Sequence, residues 1–189
     1  MKEGRVQLFF REMSQIANSE GLSVIVLSDS AGAFAITIVC DEPMTQQLLI
    51  RFHHQPGHRL MLPEVLTRML FSLTGTGHTA YETMTYDVAD GQYKTVLKAC
   101  DKDVNIPIRI SDAILLNVFS MIPMYIDEEL FRKQRSFYTP HTSGLVIPIN
   151  TISLERLKTE LQKAIAEENY RLASSIHEEI QKRNMEKRD

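Results

Sequence analysis

A change in hydrophobic period near residue 136 constrains the fold of this chain more than any other feature of its sequence. Residues 5–135 alternate between short β-branched or aromatic runs and segments whose apolar residues recur at helical spacing. From residue 154 onward there is no strand pattern, only an apolar stripe among charged residues. The 189 residues are enough for about one full domain and a small appendage. We therefore predict an α+β domain over residues 1–135, a linker over 136–152 and an α-helical hairpin over 153–185.

Turn-forming residues and prolines mark the limits of the elements within the first 135 residues. Pro43 and Pro63 stand where helices can begin, and Asp90-Gly91 between two alternating runs is typical of a β-hairpin. Further helices are predicted from Ser111 or Asp112 and over residues 128–135. The predicted strands cover residues 6–10, 22–27, 33–39, 81–88, 93–98, 104–110 and 124–126. We expect a mixed, largely antiparallel sheet with flanking helices.

The charge balance excludes a generally basic nucleic-acid binder but permits a local basic site. The chain has 21 Lys and Arg against 24 Asp and Glu, a net charge of −3. The hairpin segment is neutral, so the whole deficit lies on the larger domain. Cys40 and Cys100 are 60 residues apart, which is typical of reduced thiols. No segment resembles a signal peptide or a membrane span, so we expect a soluble, cytoplasmic protein.

Two stretches of the chain resemble known families. The run from Arg109 to Ile114, with Pro123 to Glu129, is similar to the Arg-x-Ser-Asp-Ala-Ile and Pro-Ile-Tyr-x-x-Glu-Glu signature of the bacterial bifunctional nuclease domain family. Residues 154–180 resemble the UVR motif, a helical hairpin of excision-repair proteins that pairs with a partner hairpin. The resemblance covers about residues 5–135 and 153–184, in an order known for this family.

The resemblance implies a function for each part. The larger domain is expected to hydrolyse DNA or RNA phosphodiesters, assisted by a divalent metal such as Mg²⁺ or Mn²⁺. The hairpin is expected to mediate protein–protein interaction, with a UVR-containing protein or a second copy as partner, so we expect a homo-oligomer. Five apolar hairpin positions are the candidate partner contacts: Leu157, Leu161, Tyr170, Ile176 and Ile180.

Arg109 and Asp112 are the sharpest candidates for catalysis. A carboxylate at a helix start can hold a cation or a water while the arginine contacts phosphate. Alternatively Asp112 or Ser111 only caps the helix and Arg109 pairs with it, which is the interpretation we favour from sequence. Asp87 and Asp90 flank the hairpin turn and can supply further carboxylates for a metal, although Asp90-Gly91 is typical of turn chemistry alone.

The segment 51–59 is the only dense basic and aromatic stretch of the larger domain. Its candidate nucleic-acid contacts are Arg51, His53, His54, His58 and Arg59. A solvated helix end, where cations are favoured by the helix dipole, explains the same composition equally well.

A non-catalytic regulatory protein that uses both modules for binding is the rival hypothesis. It is favoured by the acidic charge, by the departures from the family pattern at Pro43-Met44 and Pro63-Glu64, and by the lack of a multi-carboxylate or Ser/His/Asp motif.

Overall fold

An eight-stranded sheet organises the larger part of the chain. In the computed structural model, which describes residues 4–15, 22–89, 91–138 and 149–186, the strands occur in the order β6-β5-β4-β7-β1-β2-β3-β8. Their bounds are β1 Arg5–Gln15, β2 Ser23–Ser28, β3 Phe34–Cys40, β4 Tyr81–Ala89, β5 Gln92–Ala99, β6 Asn105–Ile108, β7 Met124–Asp127 and β8 Ser136–Phe137. β7 is parallel to β4 and antiparallel to β1, and β2 is antiparallel to both β1 and β3. The predicted mixed sheet is confirmed.

The first strand joins two differently registered parts of the sheet. Its beginning pairs with β7, from Arg5 opposite Asp127 to Leu8 opposite Met124, and its remainder pairs with β2. The register shifts between Phe10 and Glu12, as in a β-bulge. Arg11, the residue between them, donates from Nε to the Ser28 hydroxyl at 2.6 Å. The Arg11 side chain therefore fastens the bulge to the last residue of β2.

The described residues form six α-helices, and their bounds are close to those expected. They are α1 Glu42–Phe52, α2 Leu62–Thr74, α3 Ile110–Ser120, α4 Glu128–Gln134, α5 Leu154–Ala166 and α6 Tyr170–Glu186. The predicted capping of α3 by Ser111 or Asp112 is wrong, because the backbone is already helical at Ile110 and Arg109 occupies the N-cap without a capping side chain. Ser136 and Phe137, predicted as linker, form β8 against β3.

The core lies between the sheet and helices α1 and α3. Every residue of β2 is buried, in keeping with the continuous apolar run between its two terminal serines. From the helices, Met44 and Leu48 of α1 and Ala113 and Ile114 of α3 are buried as well. Helix α3 contacts α1, α2, β3 and β7, so it is the central helix of this layer.

Helix α2 buries polar side chains and exposes apolar ones, the reverse of an ordinary packed helix. Two of its polar side chains, Glu64 and Thr67, are buried. Phe71 is half-buried against Tyr81, but the other six large apolar side chains are exposed, namely Leu62, Val65, Leu66, Met69, Leu70 and Leu73. We call these six residues, with the exposed Leu60 that precedes them, the α2 face. The sequence pattern predicted the stripe correctly but not which way it points.

The chain divides into two compact units, of which the second comprises Val88–Tyr93 and Ile147–Asp189. Its helices α5 and α6 form the predicted hairpin; Ser153 and Asn169 accept hydrogen bonds from backbone amides in the first turns of α5 and α6. The hairpin has a small core of its own, built from Leu157, Ile176 and Ile180 with Ile152, Leu154 and Leu161 packed against it. Of the five predicted partner contacts, only Tyr170 is exposed on the surface.

A buried arginine joins the segments of this second unit. Arg183 is 4% exposed and donates to the carbonyl oxygens of Ile152 at 2.6 Å and Asn150 at 2.9 Å. Gly91, with φ +76°, lies so close to Ile152 that a Cβ on residue 91 would be 2.5 Å from the Ile152 carbonyl oxygen. A side chain at position 91 is therefore excluded on both conformational and steric grounds. No described helix is long and apolar enough to cross a membrane.

Candidate functional site

The starts of helices α1 and α3 bring together the charged groups of the most specific sequence motif. Cys40 ends β3, Asp41 caps α1 by accepting from the Met44 amide at 3.0 Å, and Arg109 precedes α3. Arg109 donates to Asp112 from Nε at 2.8 Å and from Nη2 at 2.9 Å. The two side chains are 67% and 36% exposed, so this bidentate pair lies open to solvent. The predicted pairing of Arg109 with Asp112 is observed.

The charges around this pair act on one another. The hydrogen bond and the charge of Asp112 raise the pKa of Arg109, and Asp41 and Cys40 add smaller contributions. Burial raises the pKa of the Cys40 thiol to about 12, with Asp41 also raising it and Arg109 lowering it. Cys40 is therefore a protonated core residue at neutral pH and not a nucleophile.

Asp41 is a member of this site that sequence reasoning missed. Its signal was present, since an aspartate two residues before a proline at a helix start is typical of an N-cap. What the sequence did not show is that the start of α1 lies near the start of α3. Asp87, by contrast, is an exposed residue of β4, and Asp90 lies outside the described residues.

The basic segment lies at the other end of α1. Arg51 is 3% exposed, and its Nε and Nη2 lie 2.6 Å and 2.8 Å from the two carboxylate oxygens of Glu64 in α2. Its Nη1 donates to the Gln47 backbone and side-chain oxygens, and its guanidinium lies 5.6 Å from the Phe119 ring centre. Arg51 therefore fastens α1 to α2 and α3 rather than facing solvent. Glu64 was not recognised from the sequence as its partner.

The other four candidate nucleic-acid contacts of segment 51–59 form its surface. His53 and His54 follow α1 and are exposed, and Arg59 is exposed in the short 3₁₀ turn after them. The rings of His54 and His58 are 5.8 Å apart, and His58 Nδ1 lies 2.8 Å from the Gln55 carbonyl oxygen. These four side chains form one patch of imidazole and guanidinium groups that can donate hydrogen bonds to phosphate.

Two groups of candidate residues thus lie at opposite ends of one helix. The eleven residues of α1 separate them by about 16 Å at 1.5 Å per residue. Arg109, Asp112 and Asp41 lie at the N-terminal end, where the helix dipole favours anions. The histidine and arginine patch lies at the C-terminal end.

A preformed metal site is not found in the described part of the chain. No three or more His, Cys, Asp or Glu side chains there are grouped so that they can hold a metal ion. The donor set around Arg109 supplies Asp41 and Asp112, of which Asp41 already accepts the Met44 amide. These residues do not fit a Mg²⁺ or Mn²⁺ site made by the protein alone.

Tyr125, the tyrosine of the family signature, makes a contact that holds neighbouring strands together. The Arg5 guanidinium lies 3.8 Å from the centre of the Tyr125 ring in β7 and donates from Nη1 to both oxygens of Glu82 at 2.8 Å. Glu82 is in β4, on the far side of β7 from β1. The contact therefore links three neighbouring strands across one face of the sheet.

Comparison with known proteins identifies the larger domain. No curated protein matches the chain. The bifunctional nuclease domain, however, matches residues 25–138, more than half of the 189 residues. The matched region runs from β2 to the end of β8 and contains both Arg109 and Asp112. The chain therefore belongs to the bifunctional nuclease domain family.

Proposed function

We propose that the larger domain hydrolyses phosphodiester bonds of DNA or RNA at the Arg109–Asp112 pair. The observation that carries the proposal is the open, bidentate ion pair formed by the signature residues of a nuclease family. Hydrolysis requires stabilisation of the negative charge that builds on the scissile phosphate when water attacks phosphorus and the ester oxygen leaves with a proton. A fixed guanidinium is suited to that task.

The geometry assigns different roles to the two residues. Asp112 engages Nε and Nη2 of Arg109, so the Nη1 edge of the guanidinium is presented to a phosphate. Arg109 is then the catalytic residue and Asp112 a positioning residue that fixes the plane of the guanidinium. Asp87 as a further catalytic group and Mg²⁺ or Mn²⁺ as a cofactor remain predictions, and no step of the mechanism is assigned to either.

The histidine and arginine patch is proposed to bind the nucleic-acid backbone. Phosphate contacts by His53, His54, His58 and Arg59 would hold a strand about 16 Å from Arg109, along α1. Binding should then weaken as salt rises, and Arg59→Ala should reduce the salt dependence by about one phosphate contact. Arg132→Ala, on the exposed face of α4, is the matched control and should leave the slope unchanged.

Cleavage of single- and double-stranded DNA and RNA, in Mg²⁺, Mn²⁺ or EDTA, tests the proposal. Arg109→Gln is expected to lower kcat/KM by about 100-fold, since it removes the charge that meets the phosphate. Asp112→Asn is expected to lower kcat by about 10- to 100-fold with little change in KM, because it misorients the guanidinium.

The exposed Arg132–Glu129 pair of α4 provides the control for these variants. It has the same i,i+3 spacing as Arg109–Asp112, with a separation of 3.2 Å. Arg132→Gln and Glu129→Gln should cleave at the wild-type rate. Full activity of the Arg109→Gln, Asp112→Asn double variant would place the reaction elsewhere.

The hairpin, which resembles the UVR motif, is proposed to bind a UVR-containing partner protein. Its buried residues maintain the hairpin itself, and exposed apolar side chains lie on either side of the turn between its helices, Ile165 before it and Tyr170 and Leu172 after it. Calorimetric titration of the full chain with a UVR-containing protein tests this. Tyr170→Glu should weaken the binding by at least 10-fold, and unchanged affinity would remove this end of the hairpin from the interface.

The rival function, a non-catalytic binding protein, is favoured by two observations. The described residues present no three-ligand metal cluster, and α2 exposes a large apolar face. If this function is correct, the protein binds nucleic acid or another protein. Any cleavage activity found in the preparation is then not reduced by Arg109→Gln.

A further inference from the structure

A second basic and aromatic stretch includes the end of helix α4 and the strand that follows it. Residues 131–138 contain three cations and three aromatic side chains without an acid, so the segment 51–59 is not the only stretch of this kind in the larger domain. Lys133, Arg135 and Phe137 are the exposed members that bear on a ligand. Their charge and their aromatic character are complementary to a polyanion with flat rings.

Strand pairing holds Phe137 in place although its ring is open to solvent. β8 pairs with β3 so that Phe137 stands opposite Phe34, and the centres of the two rings are 4.9 Å apart. The Arg135 guanidinium lies 3.9 Å from the centre of the Phe34 ring, the distance of a cation–π contact. Phe137 is nevertheless 85% exposed, more than any other large apolar side chain in the described part of the chain. We call Phe34, Arg135 and Phe137 the aromatic ledge.

A surface of this composition suits unpaired bases better than a duplex. Every base has a flat face that can stack on an aromatic ring, and arginine beside the ring adds a cation–π contribution. In a duplex those faces are covered by the neighbouring base pairs, so an exposed phenylalanine ring meets no base to stack on. The exposed Lys133 and Arg135 can contact phosphates on either side of a stacked base.

The aromatic ledge lies at the same end of the sheet as the histidine and arginine patch. Phe52, the last residue of α1, contacts the Phe10 ring of β1 at 4.7 Å between ring centres. Pairing across β1, β2 and β3 places Phe10 opposite Leu27 and Leu27 opposite Ile36. Ile36 is two residues from Phe34 in β3, on the same face by strand alternation. The end of α1 and the ledge can therefore contact one strand of nucleic acid.

The length of β3 sets the distance from the ledge to the proposed catalytic pair. Arg109 lies close enough to Cys40, the last residue of β3, for its charge to lower the pKa of that thiol against the larger effect of burial. Six strand steps of about 3.3 Å place Phe34 about 20 Å from Cys40. About six nucleotides at 3.4 Å each cover that length.

We propose that the aromatic ledge binds single-stranded nucleic acid, with an unpaired base stacked on Phe137 and the adjoining phosphates on Arg135 and Lys133. The inference rests on the proposed nuclease function and narrows its substrate to strands with unpaired bases about six nucleotides from the cleaved bond. Selection between single and double strands is thereby assigned to residues outside the Arg109–Asp112 pair.

Fluorescence anisotropy of a labelled oligothymidylate of 12 nucleotides, alone or paired with oligodeoxyadenylate, tests the proposal. The parent protein carries Arg109→Gln to prevent cleavage, and the length of the strand is checked on a gel after each titration. Phe137→Leu, which removes the ring but keeps an apolar side chain, should weaken single-strand binding by about 5- to 100-fold and leave duplex binding unchanged. Phe137→Trp keeps a stacking surface and should bind at least as tightly as the parent. Arg135→Gln should lower the salt dependence by about one phosphate contact.

Two matched controls lie elsewhere on the larger domain. Phe9 is 36% exposed on β1 with the Arg11 guanidinium 6.0 Å from its ring centre. It is paired through Ser28 with Ala35, the neighbour of Phe34, so it lies on the other face of the sheet. Phe9→Leu should therefore bind as the parent does. Arg132→Gln removes a guanidinium that is paired with a glutamate and should leave the salt dependence unchanged.

The proposal is overturned if single-strand binding survives Phe137→Leu, if duplex binding falls equally, if Phe137→Trp does not retain binding, or if Phe9→Leu loses as much. Cleavage by the protein with and without Arg109→Gln tests the nuclease function separately. Binding that needs Phe137, with cleavage that does not need Arg109, keeps the ledge and refutes the proposed catalytic pair. Cleavage that needs Arg109, with binding indifferent to Phe137, does the reverse.

Discussion

The buried ion pair between Arg51 and Glu64 gives the sharpest prediction of stability. Their side chains are 2% and 8% exposed, and Arg51 also donates twice to Gln47. Replacing Arg51 with methionine keeps an unbranched side chain of similar length but leaves the Glu64 carboxylate buried without its partner. Breaking one side of such a pair costs about 3–5 kcal/mol.

Urea unfolding followed by circular dichroism measures this cost. With a slope of about 2 kcal/mol per molar urea, the midpoint of Arg51→Met should fall by about 1.5–2.5 M. The double variant Arg51→Met, Glu64→Leu removes both charges and should return to within about 1 kcal/mol of the wild type, because an apolar pair of similar volume replaces the ion pair. The coupling between the two positions is then at least about 2 kcal/mol.

The exposed pair of α4 shows what a surface contact contributes. Arg132→Met breaks an ion pair whose side chains are 65% and 70% exposed, so it should cost less than about 1 kcal/mol. If Arg51→Met costs no more than Arg132→Met, burial does not make the Arg51–Glu64 pair more costly to break than a surface pair. If the double variant is no more stable than the single one, the loss comes from packing of Arg51 and not from an unpaired Glu64.

Three further changes have definite expected outcomes. Gly91→Ala should destabilise the protein by at least about 2 kcal/mol in thermal unfolding, whereas Gly57→Ala, with a similar φ of +83° but nothing within 4 Å of its Cβ position, should cost only about 1 kcal/mol. Equal losses would show that the contact at position 91 has no effect. Cys100 should react with a thiol reagent at pH 8 while Cys40 should not. Because the pKa of the Cys40 thiol rises from 9.0 to about 12 on folding, the contribution of the protonated thiol to the free energy of unfolding is complete below pH 9 and is lost as the pH rises from 9 to 12. Met121→Gly should raise stability by about 0.5–1 kcal/mol, because Met121 ends α3 at φ +63° and is exposed; a lower melting temperature would contradict this.

Local elements of the fold could be predicted from the sequence because their signals lie within a few residues. The Pro43 and Pro63 helix starts and the hairpin around Gly91 are examples, each within one or two residues of the observed boundary. Strand order could not be predicted, since β7 inserts between β4 and β1 through contacts between residues more than 100 positions apart.

Part of the candidate site could be predicted because the residues concerned also lie close together in the sequence. Arg109 and Asp112 are three residues apart, so their pairing follows from helix geometry. The nearness of Asp41, and the burial of Arg51 by Glu64, depend on how α1, α2 and α3 pack. Hydrophobic pattern shows that α2 has an apolar side but not what covers it, because a core and an interface demand the same residues.

The divided pairing of β1 has a consequence for the order in which the chain assembles. Its second part can pair with β2 as soon as residues up to 28 have been synthesised, but residues 5–8 wait for β7 at residues 124–127. At roughly 5–20 residues per second, about 5–20 s pass between the two events. During that interval Arg5–Leu8 is an open strand edge on the nascent chain, and the charge of Arg5 is the kind that discourages pairing with other chains. The strand that connects the two parts of the sheet is thus where the nascent protein stays open longest.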